Sequence, residues 1–339
     1  MQALILAGGF GTRLRPLTFH TPKTLLPLAG KPLVCHVLDE LVKEKINPIT
    51  FAVNSSSSNL FKFYLSDYDL NWVIEGSTTN DEKLGAVGGI ENAIKHMEND
   101  SILIWGADNY LPDLDVREFI SHHQKSKAKI SLVLYKLKNK SLVSRYGVVQ
   151  VKDNKVVGFQ EKPKENEALS DLVSTAMYII EPEFFPKIKE YVEQVKKKGK
   201  KPDNIGALWE WALKQGFEIS GFIHIGFWSD VGSPTGYLQA NNIGMTLLDK
   251  NKIAKGVDLS GVKIIDPVII RENCEIGASS EIGPNVLIMP NCKLGKGVRL
   301  KNCIVFQGAK IGDQVVIIDS LVDRAAKINK CSYIQKSIV

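Results

Sequence analysis

Cysteine is scarce in this chain: there are five in 339 residues, an odd number, and none stands in CxxC spacing. That argues against a disulfide framework and against a thiolate zinc site. Long apolar runs are missing as well. None reaches the roughly 18–20 residues that span a bilayer, so no membrane partner is expected. Strong charge of one sign is also missing, with a formal net charge of +6 spread along the chain. The densest basic cluster, Lys196-Lys197-Lys198-Gly199-Lys200-Lys201, has neither stacking aromatics nor a recognition helix beside it. It reads as a solvated loop, and nucleic acid is excluded as a partner. Met1 leads straight into an apolar run with no basic region and cleavage signal, which predicts a cytoplasmic protein. Histidine is absent from residues 256–339.

What is present is an ordinary globular composition, 44% hydrophobic and 24% charged, in a chain long enough for two domains. The stretch MQALILAGGFGTRLRPLT organises the rest. Residues 2–6 form an apolar run suited to a buried strand. It breaks at Gly8-Gly9-Phe10-Gly11, where missing side chains let backbone N–H groups approach a ligand. Arg13, Arg15 and then Lys23 follow. Strand, glycine loop and fixed cations together make a cradle for a polyphosphate. A Rossmann fingerprint would need glycine in place of Leu14 and suffers from Pro16 at the helix start. The P-loop pattern GxxxxGK[ST] is absent. For the glycines alone, a tight turn without ligand stays open as the alternative.

Downstream, strands are predicted at residues 49–53, 70–75, 101–105, 130–136, 147–151, 156–161, 172–180 and 217–222. Helices are predicted at 31–45, from Gly85 to Met97, at 205–215 and at 235–249. The pattern predicts an α/β fold with a doubly wound, mixed and mostly parallel sheet, whose ligands sit outside the carboxyl ends of the strands. Asp108 and Asp230 lie in acidic turns at such ends. Each is a candidate metal ligand; for Asp108 a turn-capping Asp is the local alternative.

The tail follows a different rule. Ile264, Ile270, Ile276, Ile282, Ile288, Leu294, Leu300 and Phe306 recur every six residues, and the register slips by one at Ile311 and again at Val322. Two positions before each of the eight stand Val262, Val268, Cys274, Ser280, Val286, Cys292, Val298 and Ile304. Large and small inward positions with this period predict a stacked β-solenoid of about three turns, with Cys274 and Cys292 packed in its core. It looks like a short left-handed hexapeptide β-helix. The predicted domains are therefore residues 1–245 and 255–339.

LAGGFGTRLRPLT…PKTLLPLAGKP resembles the signature of the sugar-1-phosphate nucleotidylyltransferases, also called nucleotide-sugar pyrophosphorylases. The resemblance runs from residue 1 to about 245. Gly85-Ala86-Val87-Gly88-Gly89 resembles the family's base-binding loop, and Asp108 and Asp230 fall where it has its metal aspartates. Tyr146-Gly147-Val148-Val149 and Glu161-Lys162-Pro163 resemble its sugar-phosphate motifs. Two departures stand out. Ser174-Thr175-Ala176 replace a motif that normally closes on glycine, adding a methyl where a hexose would approach. Ala107 replaces the glycine before the aspartate.

The resemblance implies a nucleotidyl transfer that joins an NTP and a sugar 1-phosphate and releases pyrophosphate, with Mg²⁺ held by Asp108 and Asp230. Catalytic roles would fall to Arg13, Lys23 and Lys162. Leu6, Ala7, Gly8, Gly9, Gly11, Thr12, Arg13 and Gly85 would hold the nucleotide, with Glu82 either reading a guanine or merely exposed. Gly147, Glu161, Lys162, Ser174 and Thr175 would face the sugar phosphate. The hexapeptide tail beside GGFGTRLRP also resembles the mannose-1-phosphate guanylyltransferases, and it predicts homo-oligomers through the β-helix. The alternatives are a thymidylyl- or uridylyltransferase for glucose 1-phosphate, a non-catalytic regulatory subunit, and an acyltransferase.

Overall fold

The computed structural model describes residues 1–79 and 81–339; Asn80, inside the polar stretch GSTTNDEK, lies outside them. The chain packs as two compact units that do not follow chain order: Met1–Phe10 with Val34–Trp228, and Gly11–Leu33 with Ser229–Val339.

The first unit is built on nine strands: β1 (Gln2–Leu6), β2 (Ile49–Asn54), β3 (Asn71–Glu75), β4 (Ile102–Gly106), β5 (Ile130–Lys136), β6 (Gly147–Lys152), β7 (Lys155–Glu161), β8 (Leu172–Ile180) and β9 (Ile219–His224). Their spatial order is β3-β2-β1-β4-β8-β5-β9-β7-β6. The first four of these pair parallel. β8 is inserted antiparallel between β4 and β5, and β6–β7 is an antiparallel hairpin. β1, β2, β4 and β5 are near-continuous apolar runs, as expected of strands covered on both faces. Leu4, Ile104, Leu132, Tyr178, Phe184 and Trp209 share one core cluster.

Four of the helices begin at side-chain caps. Asn54 accepts from Ser57 N at the start of α2 (Ser55–Tyr64), so the serine run opens a helix. Helix α1 (Leu33–Lys43) is shorter than the periodicity predicts. Lys31–Pro32 pairs with Pro27–Leu28 instead, and Lys45 adopts φ 56° as Ile46 N bonds back to Leu41 O, a left-handed helix end. α3 (Ala86–Ile94) and α6 (Ile205–Lys214) fall where expected. α4 (Val116–Ser126) and α5 (Phe185–Lys197) carry no expectation above. The last turn of α5 takes in Lys196 and Lys197, so only part of the lysine cluster is loop.

In the second unit, α7 (Pro234–Thr246) precedes a solenoid with two faces of five rungs and one of four, more than the three turns expected. Successive rungs first step by 18 residues, as Val268 to Val286, and then by 17, as Ile288 to Val305 and Val305 to Val322. The first slip therefore comes one hexad earlier than the sequence suggests. Val305 and Cys303, not Phe306 and Ile304, enter the core beside Cys274 and Cys292. Side-chain amides stack along the turns, Asn285 Nδ2 donating to Asn302 Oδ1 (3.0 Å) and Asn302 Nδ2 to Asp319 Oδ1 (2.9 Å). All five cysteines are free thiols, and burial pushes that of Cys303 up to about 12. Among the described residues no helix is long and apolar enough to cross a membrane.

Candidate functional site

In the first unit a cavity of about 200 Å³ opens where β1 ends. Leu6, Gly8 and Gly9 line one side, and Glu75, Lys83, Gly85, Ala86, Gly89, Asn92 and Asp203 line the other. Ala7 N donates to Ala52 O (2.9 Å) and Asn54 Nδ2 to Gly8 O (3.3 Å), which fixes the loop against β2. No atom lies within 4 Å of where a Cβ on Gly8 or Gly9 would stand, so their backbone is open to a ligand. Gly85 adopts φ 84°, and a Cβ there would meet Asp203 Cα at 2.6 Å, so only glycine fits. Glu75 Oε1 accepts from Leu84 N (2.6 Å) and Lys83 Nζ pairs with Asp203 Oδ2 (3.1 Å).

Glu82, a candidate base reader, is not part of this lining. Its carboxylate accepts from Thr78 N (2.8 Å), Thr78 Oγ1 (2.8 Å) and Thr79 N (3.2 Å), bonds that hold it below the usual carboxylate range. It closes its own exposed turn. Carboxylates do line the cavity, but they are Glu75 and Asp203.

Further along the sheet, Gly147 and Gly206 both press on Glu161. A Cβ on Gly147 would lie 3.2 Å from Glu161 Oε2 and 2.5 Å from Phe159 Cζ, and one on Gly206 would overlap the same carboxylate oxygen. Lys162 adopts φ 48°, uncommon for a non-glycine residue, while its N–H donates to Tyr146 O (3.0 Å). Its ammonium lies 3.4 Å from Glu161 Oε1 and its side chain is 60% exposed. Thr175 is withdrawn from the sugar-facing set. Its hydroxyl is buried and donates to Val133 O (2.9 Å), inside the sheet. Ser174 donates to Thr175 O (3.0 Å), where the β8 register against β5 shifts. The Ala176 methyl faces the Gly106 backbone, since a Cβ on Gly106 would lie 2.8 Å from it.

The Asp108 turn has an organiser that sequence reading missed. Asn109, 4% exposed, donates from Nδ2 to Asp108 Oδ1 (2.9 Å), and its own Oδ1 accepts from Trp228 Nε1 (2.8 Å). Trp105 Nε1 donates to Asn109 O (3.2 Å).

In the second unit Gly11 adopts φ 61°, and a Cβ there would lie 2.9 Å from Lys23 Cβ, so the glycine loop and the lysine segment touch. Lys23 is buried, whereas Thr12 and Arg13 are exposed. Arg13 and Asp230 both converge on Gly232: a Cβ on that glycine would lie 2.6 Å from Arg13 Nη2 and 2.9 Å from Asp230 Oδ1.

The Nucleotidyl transferase family model matches residues 2–245. The chain belongs to that family. The tail of this nucleotidyl transferase, residues 264–339, matches the GMPPB C-terminal domain model. The chain is 28% identical over 345 residues to mannose-1-phosphate guanylyltransferase 1 of Arabidopsis thaliana, covering 100% of this chain and 90% of the relative. It is 27% identical over 347 residues to UTP–glucose-1-phosphate uridylyltransferase of Synechocystis sp., covering 95% and 87%. UDP-glucose pyrophosphorylase of Acinetobacter baumanii shares the fold, with TM-score 0.60 and 19% identity over 74% of this chain and 94% of that one.

Members of this family generally use a divalent metal, and the donor chemistry bears on that. Among the described residues no three His, Cys, Asp or Glu side chains converge into a self-sufficient cage. Mg²⁺ commonly takes only one or two carboxylates and completes its shell with water and substrate phosphates, so a single carboxylate from Asp108 or Asp230 suits its habits.

Proposed function

We propose that this chain is a mannose-1-phosphate guanylyltransferase, joining GTP and mannose 1-phosphate into the nucleotide sugar with release of pyrophosphate. The observation that carries this reading is the cavity where Leu6, Gly8, Gly9 and Gly85 converge with the carboxylates Glu75 and Asp203. A carboxylate accepts from the N1–H and 2-amino groups of guanine, a pair that uracil and thymine lack. The whole-length similarity to the Arabidopsis relative supports the same choice. The comparable similarity to the Synechocystis relative supports the second reading, a uridylyl- or thymidylyltransferase for glucose 1-phosphate.

The attacking atom is a phosphate oxygen of the sugar 1-phosphate, largely ionised at neutral pH because its second pKa lies near 6. No general base is needed. It attacks the α-phosphorus in line, the bond to the β-phosphate bridging oxygen breaks, and that electron pair leaves with pyrophosphate. The chain's task is to hold two anions together and offset the charge that develops. Arg13 would grip the triphosphate and Lys23 the α-phosphate side, while Lys162 would hold the sugar phosphate with Glu161 and Gly147 facing the sugar. Asp108 and Asp230 would be the protein ligands of Mg²⁺, which when bound neutralises phosphate charge and orients the α-phosphate. Free thiols suit a reducing compartment, and the cytoplasm is the proposed location. Self-association through the solenoid completes the proposal.

The test is a matrix of GTP, UTP, dTTP and ATP against mannose, glucose and glucosamine 1-phosphates, read by pyrophosphate release. Turnover is expected to be highest for GTP with mannose 1-phosphate. Preference for UTP or dTTP with glucose 1-phosphate would select the second reading, and no release with any pair would overturn both.

A further inference from the structure

The segment that carries Arg13 and Lys23 packs in the same compact unit as the solenoid, more than two hundred residues later in the chain. Polar contacts join the segment to the solenoid. Arg324 donates from Nη1 to Leu17 O (3.1 Å) and from Nη2 to Thr21 Oγ1 (2.9 Å). Its guanidinium stacks over the Phe306 ring, 5.2 Å from the centroid. Phe306 is the residue that the early register slip leaves out of the solenoid core. Asp323 Oδ1 accepts from Arg324 N (2.7 Å) and lies 3.9 Å from Nη1. The side chain is thus held on one face by the ring and at one edge by the carboxylate, with its fork aimed at the loop.

Its two acceptors lie between the cation-bearing residues. Thr18, next to Leu17, donates to Gly11 O (2.8 Å), and its methyl would lie 3.3 Å from a Cβ on Gly11. Thr21 is two residues before Lys23. A rotation of the segment about Leu17 or Thr21 would therefore move Arg13 and Lys23 together.

We propose that Arg324 is a positioning residue for nucleotide handling: it fixes the loop Gly11–Leu33 from the solenoid so that Arg13 and Lys23 present their charges in one geometry to the triphosphate. It touches no substrate and acts through Leu17 and Thr21. This rests on the nucleotidyl-transfer reading for its kinetic consequence, but not for its structural one.

The experiment compares the full-length wild type with Arg324→Lys, Arg324→Ala and Thr21→Val. Lysine keeps the charge and stem but cannot make the fork, and Thr21→Val removes one acceptor from the loop side. The first readout is amide hydrogen exchange over residues 11–33, with residues 2–6 of the sheet as internal reference. The second is the KM for the preferred NTP against that for the sugar 1-phosphate. For Arg324→Ala, exchange in 11–33 is expected to rise about tenfold with residues 2–6 unchanged, the loss of charge-assisted bonds setting the scale. The NTP KM is expected to rise by a similar factor while the sugar-phosphate KM stays within about twofold, with Arg324→Lys and Thr21→Val intermediate. Unchanged exchange in 11–33, or equal rises in both KM values, would overturn the proposal. Should Arg324→Ala not fold, the same two readouts on Arg324→Lys and Thr21→Val decide. If no NTP and sugar phosphate react in the wild type, the function is wrong and the exchange measurement alone decides whether Arg324 holds the loop.

Discussion

In the sheet unit, neighbours come from far apart in the chain: β1 lies between Ile49–Asn54 and Ile102–Gly106. In the solenoid, each rung pairs its strands with those of the rungs 17 or 18 residues away. The sheet unit builds each of its functional turns once, and each draws on several distant segments, as Asp108 draws on Trp228 through Asn109. The solenoid repeats one small design, and the charged residues of its unit proposed to act on substrate or metal, Arg13, Lys23 and Asp230, all lie outside the repeat. Repetition supplies a platform, and the residues proposed for chemistry stand on singular segments. The middle residues of one solenoid face, Ile269, Leu287, Ile304 and Leu321, point away from the core yet are almost fully buried. Gly30 lies against Ile269, where a Cβ would come within 2.9 Å, and Arg271 Nη2 donates to Gly30 O (2.7 Å).

The strongest way to break this contrast is to remove the platform. Ending the chain near Lys250 should abolish nucleotidyl transfer, because Leu17, Thr21 and Gly30 lose their supports, and should also lower the mass measured in solution. Full turnover after the cut would show that the solenoid supports nothing, and an unchanged oligomer would remove it as the assembly element. Next in size, Asp108→Asn and Asp230→Asn, one in each unit, should each lower turnover by on the order of 10²-fold or more with an unchanged melting temperature. Near-normal Mg²⁺-dependent rates in both would sink the ligand assignment. A smaller effect tests the sheet unit alone. Glu75→Gln keeps an acceptor for Leu84 N but replaces the charge facing the cavity, and should lower the preference for GTP over UTP by about tenfold. An unaltered preference would mean that the base is read elsewhere. The smallest expected effect is none. The repeat offers no histidine as general base, so no acetyl-CoA-derived thiol should appear with glucosamine or galactosamine 1-phosphate. A substrate-dependent signal that survives Asp108→Asn but is lost with the tail would give the solenoid its own chemistry.

Legibility followed the same division. Local patterns placed β5 and β8 at the residues where they lie and announced the solenoid, because period and alternation are properties of adjacent residues. The solenoid's first slip escaped because Cys303-Ile304-Val305-Phe306 offers four apolar residues in a row, and only stacking decides which face inward. α5 escaped because prolines at its start and lysines at its end flank a short stripe, Phe185, Ile188, Tyr191, Val192 and Val195, interleaved with charged residues. At the site, Gly85 was legible because glycine marks a constraint on the backbone itself. Glu75, nine residues from the Leu84 N–H it accepts, and Asn109, tied to a tryptophan 119 residues away, were not. The motif drew attention to Thr175, but strand alternation turns its hydroxyl inward.

Arg271 and Arg324 also carry an evolutionary consequence. Following the rungs from Ile270 through Ile288 and Val305 to Val322, the two arginines stand three rung spacings apart, about 14 Å at the usual strand separation. Solenoids ordinarily gain and lose whole repeats with ease, since each repeat contacts only its neighbours. Here the distance between Gly30 O and the Leu17–Thr21 acceptors acts as a gauge. Duplicating one coil between the arginines would carry Arg324 about 5 Å beyond its partners, and deleting one would leave it as far short. Coils beyond either arginine are free to vary in number; those between them are counted by the loop they hold.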